Sequence, residues 1–289
     1  MQKNHNKKNL ISIIIPAHNE ERVIGRCLTT LLQNLNPEEA DIIVVCNGCT
    51  DQTAKVVQST AREIQLLETP VASKANALNL GDEHANGFPR FYIDADIMIS
   101  GEDVKKLAQA LKKDSLLAAS PVMKMELKER PWVIKAFYQI WCRLPYVTQG
   151  TIGGGVYALS KKGKERFEKF PEITADDAFI RFLFSPSERG VVRSAAVTVF
   201  PPRCLSDLIR IRIRNDFGNY ELKKTFPELA ARYDESNIGG TFFSLFKKIS
   251  LWPALLVYTS ISIYSRLGGM CKFWFGDRQY WNRDESSRI

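Results

Sequence analysis

The stretch LISIIIPAHNE, residues 10–20, is an apolar, β-branched run that ends at Pro16 and gives way to polar residues. Such a run has the length of one buried strand, and the residues from Glu20 to Leu35 carry apolar side chains at helical spacing. The stretch ADIIVVCNGCTD, residues 40–51, repeats this pattern, with Thr50 or Asp51 suited to cap the next helix. The chain is therefore predicted to begin as strand, helix, strand, helix.

The same alternation continues through the first half of the chain. A short strand-like IQLLETP, a helical SKANALNLGDEHA, the strand RFYIDADIMIS and a helix from Glu102 to Lys112 follow one another. Strands and helices that alternate with short turns imply right-handed crossovers. We therefore predict an α/β fold with a Rossmann-like, mostly parallel sheet and helices on both faces.

The second half has a different character. It contains a strand SLLAASPVMKMEL, an aromatic amphipathic helix PWVIKAFYQIWCRLPYV, a glycine-rich GTIGGGVYALS, a helix TADDAFIRFLF, a strand VVRSAAVTVFPP and a basic helix LSDLIRIRIRNDFGNYELKKTF. No repeat or low-complexity linker interrupts it. We expect a main domain over residues 10–235, preceded by a basic tail (1–9) and followed by a helical extension (236–289).

The composition is that of a globular protein with a basic balance. Of 289 residues, 45% are hydrophobic and 25% are charged, and 40 Lys and Arg against 32 Asp and Glu give a net charge of +8. This excess favours anionic partners, namely phosphorylated small molecules, an acidic membrane surface or nucleic acid. Charge alone does not choose among them.

The six cysteines are scattered, and the polar, basic N-terminal segment lacks the apolar core of a secretory signal. We therefore expect a reducing, cytoplasmic setting with free thiols. Cys46 and Cys49 form a CxxC motif, which without a second pair or a nearby His cluster does not predict structural zinc. A thioredoxin-like redox site is the alternative interpretation of this motif.

Three polar clusters follow predicted strands: PAHNE, CNGCTD and DAD. Open parallel sheets bind ligands at the carboxyl ends of their strands, where the strand order reverses. Asp94 and Asp96 directly follow an apolar run, where an ionised side chain is costly unless it emerges from the core or has a cation. The absence of a GxGxxG motif and of a GxxxxGK[ST] loop argues against nicotinamide dehydrogenases and P-loop NTPases.

Six motifs, SIIIPAHNE, VVCNGCTD, SKANALN, IDAD, GGGVYAL and ADDAF, occur in the order found in family 2 glycosyltransferases. Over about residues 10–215 the chain resembles that family. The resemblance implies a GT-A fold, a nucleotide-sugar donor, a divalent cation and inversion at the anomeric carbon. It implies a donor and an acceptor as partners, and no nucleic acid.

The resemblance also implies which residues meet the donor. Asp94 and Asp96 are the expected ligands of Mg²⁺ or Mn²⁺, which prefer hard oxygen ligands and lower the cost of charge on a departing diphosphate. The expected nucleotide-sugar-binding residues are Pro16, Ala17, His18, Glu20, Asn47, Asp51, Lys74, Asp94, Ala95 and Asp96. The alternatives are a turn with two solvated aspartates, first-turn helix positions for Glu20 and Asp51, and a solvated surface lysine at position 74.

One departure from the family pattern bears on the nucleobase. Relatives commonly have an aspartate at the position of Cys46, where it would accept a hydrogen bond from the base, whereas this chain reads Cys46-Asn47. A thiol accepts weakly, and Asn47 offers both a donor and an acceptor. A UDP-sugar is the favoured donor, and a GDP-sugar stays open.

An inverting transfer needs a base that takes the proton of the acceptor hydroxyl. Asp176 and Asp177 match the acidic pair of the family, and the resemblance implies that Asp177 is the base. The alternative is that Asp176 caps a helix and Asp177 only occupies its first turn.

Acceptor or phosphate contacts are expected at Gly154, within the glycine run 153–155, and at Arg210, Arg212 and Arg214. The alternatives are a bulge or turn for the glycines and a solvated basic helix face for the arginines. The arginine-rich stretch lacks the terminal tryptophan of the related motif in many relatives. We therefore expect non-processive transfer, in polysaccharide or glycolipid biosynthesis.

The stretch from Ile249 to Ser265 has no charge and is flanked by Lys247, Lys248 and Arg266. Its 17 residues are at the lower limit for spanning about 30 Å of hydrocarbon, and Pro253 weakens a span further. A monotopic or re-entrant helix in peripheral contact with a membrane fits better, with packing onto the main domain as the alternative. We expect a glycan or lipid-linked acceptor at the inner face of the cell membrane.

Two other classes of function stay open at this point. A sugar-phosphate nucleotidyltransferase has a similar sheet and metal-binding carboxylates, but it would need a glycine- and arginine-rich loop after the first strand, which PAHNEERVIGR does not supply. A membrane-docked carbohydrate-binding module would bind sugars without a metal.

Overall fold

A computed structural model describes residues 10–60, 63–113, 116–148, 152–231 and 243–276. The expected basic tail (1–9) and the expected domain boundary at 235 lie outside the described residues. The chain divides into two compact units. The described residues of 1–124, 153–172 and 187–198 form the first, the sheet unit, and those of 125–152, 173–186 and 199–289 form the second, the helical unit.

The strands are β1 (Ile11–Ala17), β2 (Ala40–Asn47), β3 (Gln65–Thr69), β4 (Arg90–Ile93), β5 (Ala118–Met125), β6 (Val156–Leu159) and β7 (Arg189–Val199). The helices are α1 (Ile24–Leu32), α2 (Thr53–Thr60), α3 (Lys74–His84), α4 (Gly101–Lys113), α5 (Trp132–Trp141), α6 (Pro145–Thr148), α7 (Lys161–Lys164), α8 (Asp176–Leu183), α9 (Leu205–Thr225), α10 (Pro227–Ala231) and α11 (Trp252–Phe275), with a 3₁₀ turn at Ile249–Leu251.

The seven strands form one sheet in the order β3-β2-β1-β4-β6-β5-β7. Strands β3, β2, β1 and β4 are parallel, whereas β6 runs antiparallel to β4 and β5. The order first runs outward from β1 to β3 and then returns to β4 on the other side of β1. Because crossovers are right-handed, this reversal places α3 on the face opposite α1 and α2. The predicted mostly parallel sheet with helices on both faces is confirmed.

Burial explains why the β-branched runs form the middle of the sheet. All seven residues of β1 and all four of β4 are buried, as expected for parallel strands covered by helices on both faces. Helix α1 buries Ile24, Cys27, Leu28 and Leu31, which recur every three or four residues. The Ser73 hydroxyl caps α3 by accepting from the Asn76 N–H at 3.1 Å. The local sequence and the packing therefore agree in this half.

The core of the helical unit lies between α5, α9 and α11. Tyr258 of α11 stacks on Phe137 of α5 with ring centroids 5.1 Å apart, and Leu208 of α9 joins the same cluster. The predicted helical extension is confirmed, although α11 runs on to Phe275, past the end of the uncharged stretch. Pro253 lies in its first turn, where the missing N–H costs nothing. Within the described ranges, no helix is long and apolar enough to cross a membrane.

Candidate active site

The polar clusters after β1, β2 and β4 converge at one edge of the sheet. In the pairing of β1 with β2, Ala17 lies opposite Cys46, and β4 pairs with β1 on its other side. The carboxyl ends of the three strands are therefore neighbours, with the reversal of strand order between β1 and β4. This is the position at which open α/β sheets bind ligands.

Hydrogen bonds between the first two clusters hold their loops together. The Asn47 amide donates to the Ala17 carbonyl at 2.9 Å, and His18 Nδ1 lies 2.6 Å from the Asn47 carbonyl. Asn47 is only 2% exposed, and its Oδ1 has no hydrogen-bond partner in the described part of the chain. Pro16, the residue before Ala17, is buried in β1. The region expected to meet the nucleobase is thus held in place by these hydrogen bonds, and the Asn47 Oδ1 is buried within it.

Glu20 and Asp51 have different surroundings. Glu20 is buried, and its backbone N–H donates to the Thr53 hydroxyl at 2.7 Å. Asp51 Oδ1 accepts from the Thr53 N–H at 2.9 Å, and its Oδ2 accepts from the Glu21 N–H at 3.2 Å. Asp51 therefore holds the first turn of α2 and also the loop between β1 and α1 at Glu21. This is the helix-terminus interpretation that the sequence left open.

The motif formed by Asp94, Ala95 and Asp96 follows β4 directly. Asp94 Oδ1 forms an ion pair with Lys74 Nζ at 2.8 Å, and both side chains are partly exposed. Ala95 is buried, whereas Asp96 is half-buried and its carbonyl accepts from Arg26 Nη2 at 3.3 Å. Lys74 therefore reaches the acidic motif across 20 positions of sequence, and it is not merely a solvated surface lysine.

The glycine run packs against the same aspartate. Gly154 and Gly155 have φ values of +72° and +79°, and the Asp94 N–H donates to the Gly155 carbonyl at 2.8 Å. A Cβ atom on Gly155 would lie 3.3 Å from Asp94 Oδ2 and 2.7 Å from Ile97 Cγ2. The sequence predicted an acceptor-side loop here and missed its contact with Asp94. Three adjacent glycines were the available signal, since left-handed backbone favours glycine.

The chemistry of the donor set fits a magnesium or manganese ion only in part. Asp94 and Asp96 are hard oxygen ligands that face partly outward, as a site shared with a bound phosphate requires. In the described ranges, however, no three His, Cys, Asp or Glu residues are grouped so as to hold a metal. Any cation here would need further oxygens from a ligand or water, which is usual for Mg²⁺.

The two cysteines of the CxxC motif lie beside the first loop. The Cys49 thiol is 3.3 Å from the Ala17 carbonyl and accepts from the Asn19 N–H at 3.4 Å. A hydrogen bond from the Cys46 thiol lowers the pKa of Cys49 to about 6, and the same bond raises the pKa of the buried Cys46. Both cysteines are free thiols, as predicted. The Cys49 side chain thus contacts the loop after β1, and its thiol is more acidic than that of an ordinary cysteine.

Asp176 and Asp177 begin α8 in the helical unit. The N-cap residue is Ala175, so Asp176 does not cap the helix; it is the first helical residue and is 5% exposed. Helix α9 supports this turn from outside, because a Cβ atom on Gly218 would lie 2.9 Å from the Ala175 Cβ. The Glu221 carboxylate also accepts from the Thr174 N–H at 2.7 Å. The acidic pair therefore stands on a tightly packed helix start.

The three arginines of α9 do not form one basic face. Residues two apart on a helix point to different sides, and their contacts differ accordingly. Arg210 pairs with Asp207 at 2.7 Å, and the Arg212 guanidinium lies 5.7 Å from the centre of the Phe137 ring. Arg214 is half-buried. A role for these arginines with phosphate or acceptor stays a prediction.

The family model described as "Glycosyl transferase family 2" matches residues 12–177, which is more than half of the chain. The chain belongs to glycosyl transferase family 2. The resemblance found in the sequence is thereby confirmed, and the matched range contains all of the strand-end clusters and both residues of the acidic pair.

Relatives and solved structures agree with this membership. The 4,4'-diaponeurosporenoate glycosyltransferase of Staphylococcus aureus is 27% identical over 179 residues, which cover 59% of this chain and 44% of that relative. The chain therefore spans less than half of the length of that curated relative. Mannosyltransferase PcManGT from Pyrobaculum calidifontis, in complex with GDP-Man and Mn²⁺, has a TM-score of 0.66 at 18% identity, covering 93% of this chain and 88% of that one.

A further structure, TarS of S. aureus in complex with UDP-GlcNAc, has a TM-score of 0.52 at 15% identity and covers 94% of this chain and 93% of that one. At such identities the likeness concerns the fold of this chain. The expected GT-A fold is confirmed.

Proposed function

We propose that the chain is an inverting glycosyltransferase that moves a sugar from a nucleoside diphosphate sugar to a hydroxyl acceptor. The observation that carries the proposal is the convergence of three polar strand ends, with Lys74 paired to Asp94 at 2.8 Å beside a partly exposed Asp96. Family membership supports the same reaction class. A lysine beside two carboxylates that could hold a divalent cation suits a diphosphate leaving group, because the diphosphate gathers negative charge as it departs.

The donor is proposed to bind along the loops after β1 and β2. Pro16, Ala17, His18 and Glu20 would line the nucleoside. Asn47 would act by fixing the loop after β1, through the bond from its amide to the Ala17 carbonyl. A UDP-sugar is favoured and a GDP-sugar is retained, since one similar fold is known with UDP-GlcNAc and another with GDP-Man.

Asp96 and Asp94 are the residues that would hold Mg²⁺ or Mn²⁺. When bound, the ion supplies Lewis-acid stabilisation of the leaving diphosphate. The Mn²⁺ in the PcManGT complex supports this assignment by fold. Lys74 neutralises part of the charge of Asp94 and would bring a second positive group to the phosphates. Asp51 contributes by fixing the loop after β1, through its bond to Glu21.

Asp177 is proposed as the base that takes the proton from the acceptor hydroxyl while the sugar is attacked from the face opposite the leaving group. Asp176, buried beside it, is proposed to position that turn. Gly154 and the arginines 210, 212 and 214 remain proposed contacts of acceptor or phosphate. The acceptor is proposed to be a glycan or a lipid-linked hydroxyl at the inner face of the cell membrane, with one sugar added at a time.

Incubation with a panel of UDP-, GDP-, CDP- and dTDP-sugars and Mn²⁺ or Mg²⁺ tests the proposal. We expect hydrolysis or transfer with at least one donor. Asp177→Asn should abolish transfer and retain nucleotide binding, because the amide cannot accept a proton. Glu228→Gln, an exposed substitution in α10 of the same unit, is the matched control and should keep activity. Full activity of Asp177→Asn, or pyrophosphate release from a nucleoside triphosphate and a sugar phosphate, would overturn the proposal.

A further inference from the structure

The exposed apolar side chains of the chain are concentrated in one segment. Fourteen large hydrophobic side chains are exposed in the described part of the chain, and eleven of them lie in residues 243–276. Isolated exposed hydrophobic residues are ordinary on a protein surface, but a contiguous set marks an interaction site. These exposed side chains therefore indicate an interaction surface in this segment, and the faces of α11 show where it lies.

Helix α11 is apolar on two opposite faces. Its buried face, Ala254, Tyr258, Ile261, Ser265 and Gly269, packs inside the helical unit. The opposite side carries an outer stripe at intervals of three, four or seven residues, which keep side chains on one face. The outer stripe consists of Trp252, Leu256, Ile263, Leu267, Met270 and Trp274. Its members are between 41% and 69% exposed.

The buried face is attached along the length of the helix. Near its start Tyr258 stacks on Phe137, and near its end the Gly269 Cα faces the Asp216–Phe217 backbone so closely that an added Cβ would lie 3.0 Å from the Phe217 nitrogen. Between them the Ser265 hydroxyl donates to Asp216 Oδ2 at 2.7 Å. A helix held at both ends can present its outer stripe only as a flat strip, about 36 Å long for its 24 residues.

The charged residues within the described segment 243–276 all have one sign. Residues 243–276 contain no Asp or Glu, and the four charged residues are Lys247, Lys248, Arg266 and Lys272, all of them exposed. Aromatic side chains stand at both ends: Phe246 stacks on Trp252 with centroids 5.3 Å apart, and Trp274 closes the other end. Aromatic ends and basic flanks around an apolar strip match a lipid surface with anionic headgroups.

We propose that the outer stripe of α11 docks this protein in the plane of an anionic membrane surface. The apolar side chains would enter the boundary between headgroups and acyl chains, and Lys247, Lys248 and Arg266 would face lipid phosphates. A second copy of this chain is disfavoured as the occupant, because the basic residues of the described segment 243–276 would meet their own like charges. The inference deepens the membrane-linked acceptor of the proposed function, but it rests on the helical unit alone and its test needs no sugar donor.

Co-sedimentation of the full chain with phosphatidylcholine vesicles, with and without phosphatidylglycerol, tests this. We expect strong binding only to the anionic vesicles, and weaker binding as salt is added. Leu256→Gln with Ile263→Gln should weaken partitioning about tenfold or more, since two aliphatic side chains lose their burial. Arg266→Gln should weaken binding to anionic vesicles about fivefold and leave the residual binding to neutral ones unchanged.

Val71→Gln is the matched control, because Val71 is an exposed aliphatic residue of the sheet unit, and it should bind as wild type does. Circular dichroism and nucleotide binding of each variant show that it is folded. Equal binding of wild type and Leu256→Gln/Ile263→Gln, no binding to either vesicle, or a wild-type dimer that the double substitution converts to monomer would each overturn the inference. Loss of vesicle binding with intact nucleotide binding would leave the proposed transfer untouched.

Discussion

Replacing Gly155 by alanine tests the link between the glycine run and the acidic motif. Gly155 has a φ of +79°, a conformation that costs an L-residue roughly 1–2 kcal/mol. The new Cβ would also lie 2.7 Å from Cγ2 of the buried Ile97, and such overpacking costs about 1–3 kcal/mol. Together the two effects predict a loss of about 2–5 kcal/mol in the free energy of unfolding.

The same atom would also disturb Asp94. Its Oδ2 and Cβ lie 3.3 and 3.4 Å from the added Cβ, so the carboxylate must shift by a few tenths of an ångström. That shift strains the ion pair with Lys74 and the proposed contact with the diphosphate. We expect nucleoside diphosphate with Mn²⁺ to bind about tenfold more weakly, as for the loss of part of one charged hydrogen bond.

Thermal unfolding and isothermal titration of the two matched substitutions measure these effects. At about 2–4 °C per kcal/mol, Gly155→Ala should lower the Tm by about 4–20 °C. Gly25→Ala, in α1, is the control: its Cβ would make an ordinary 3.4 Å contact with Val56, and alanine favours helix by about 0.5–1 kcal/mol. A Tm of Gly155→Ala equal to or above that of Gly25→Ala would refute the predicted loss of stability. An unchanged affinity of Gly155→Ala for nucleotide would refute the predicted effect on Asp94.

Three further predictions concern the loops around the site. Lys74→Gln should change the free energy of unfolding by less than about 1 kcal/mol, because the pair with Asp94 is partly exposed, yet it should weaken nucleotide binding in titrations; a large stability loss would contradict this. Cys49 should react with iodoacetamide increasingly as pH rises through about 6. Buried Cys27, whose pKa is raised by burial to about 12, should stay unmodified in mass spectra of the folded protein. Equal labelling of the two cysteines would refute the assignment of Cys49 as the acidic thiol. Asp51→Ala should lower the free energy of unfolding in urea by about 0.5–2 kcal/mol. Asp51→Asn should restore part of it, because its one amide oxygen can accept from Thr53 but its NH2 cannot accept from Glu21; equal losses in both would exclude the helix-terminus role.

The sequence predicted the sheet well because its signals are local. In β1, in α1 and in the strand before Asp94, the residues of the segment alone predict its secondary structure. The position of the polar clusters also followed, since parallel strands share one carboxyl edge. The link to Lys74 was available only through resemblance to a family.

The features that the sequence did not predict depend on contacts between distant residues. Gly155 meets Asp94 across 61 positions, and Arg26 reaches the Asp96 carbonyl across 70. No periodicity encodes such pairs. The length of α11 was underestimated because the uncharged run ends at Ser265, whereas the helix continues through exposed Arg266, which water or headgroups can solvate without breaking the helix.

The central claim is that acidic side chains at the rim of the sheet bind a nucleoside diphosphate together with a divalent cation. Isothermal titration of UDP and of GDP, in Mn²⁺ and in EDTA, with wild type and Asp96→Asn, measures it directly. We expect at least one nucleotide to bind wild type in Mn²⁺, and binding to be lost in EDTA and in Asp96→Asn. Binding that is indifferent to both the cation and Asp96, or no binding of either nucleotide, would contradict the claim.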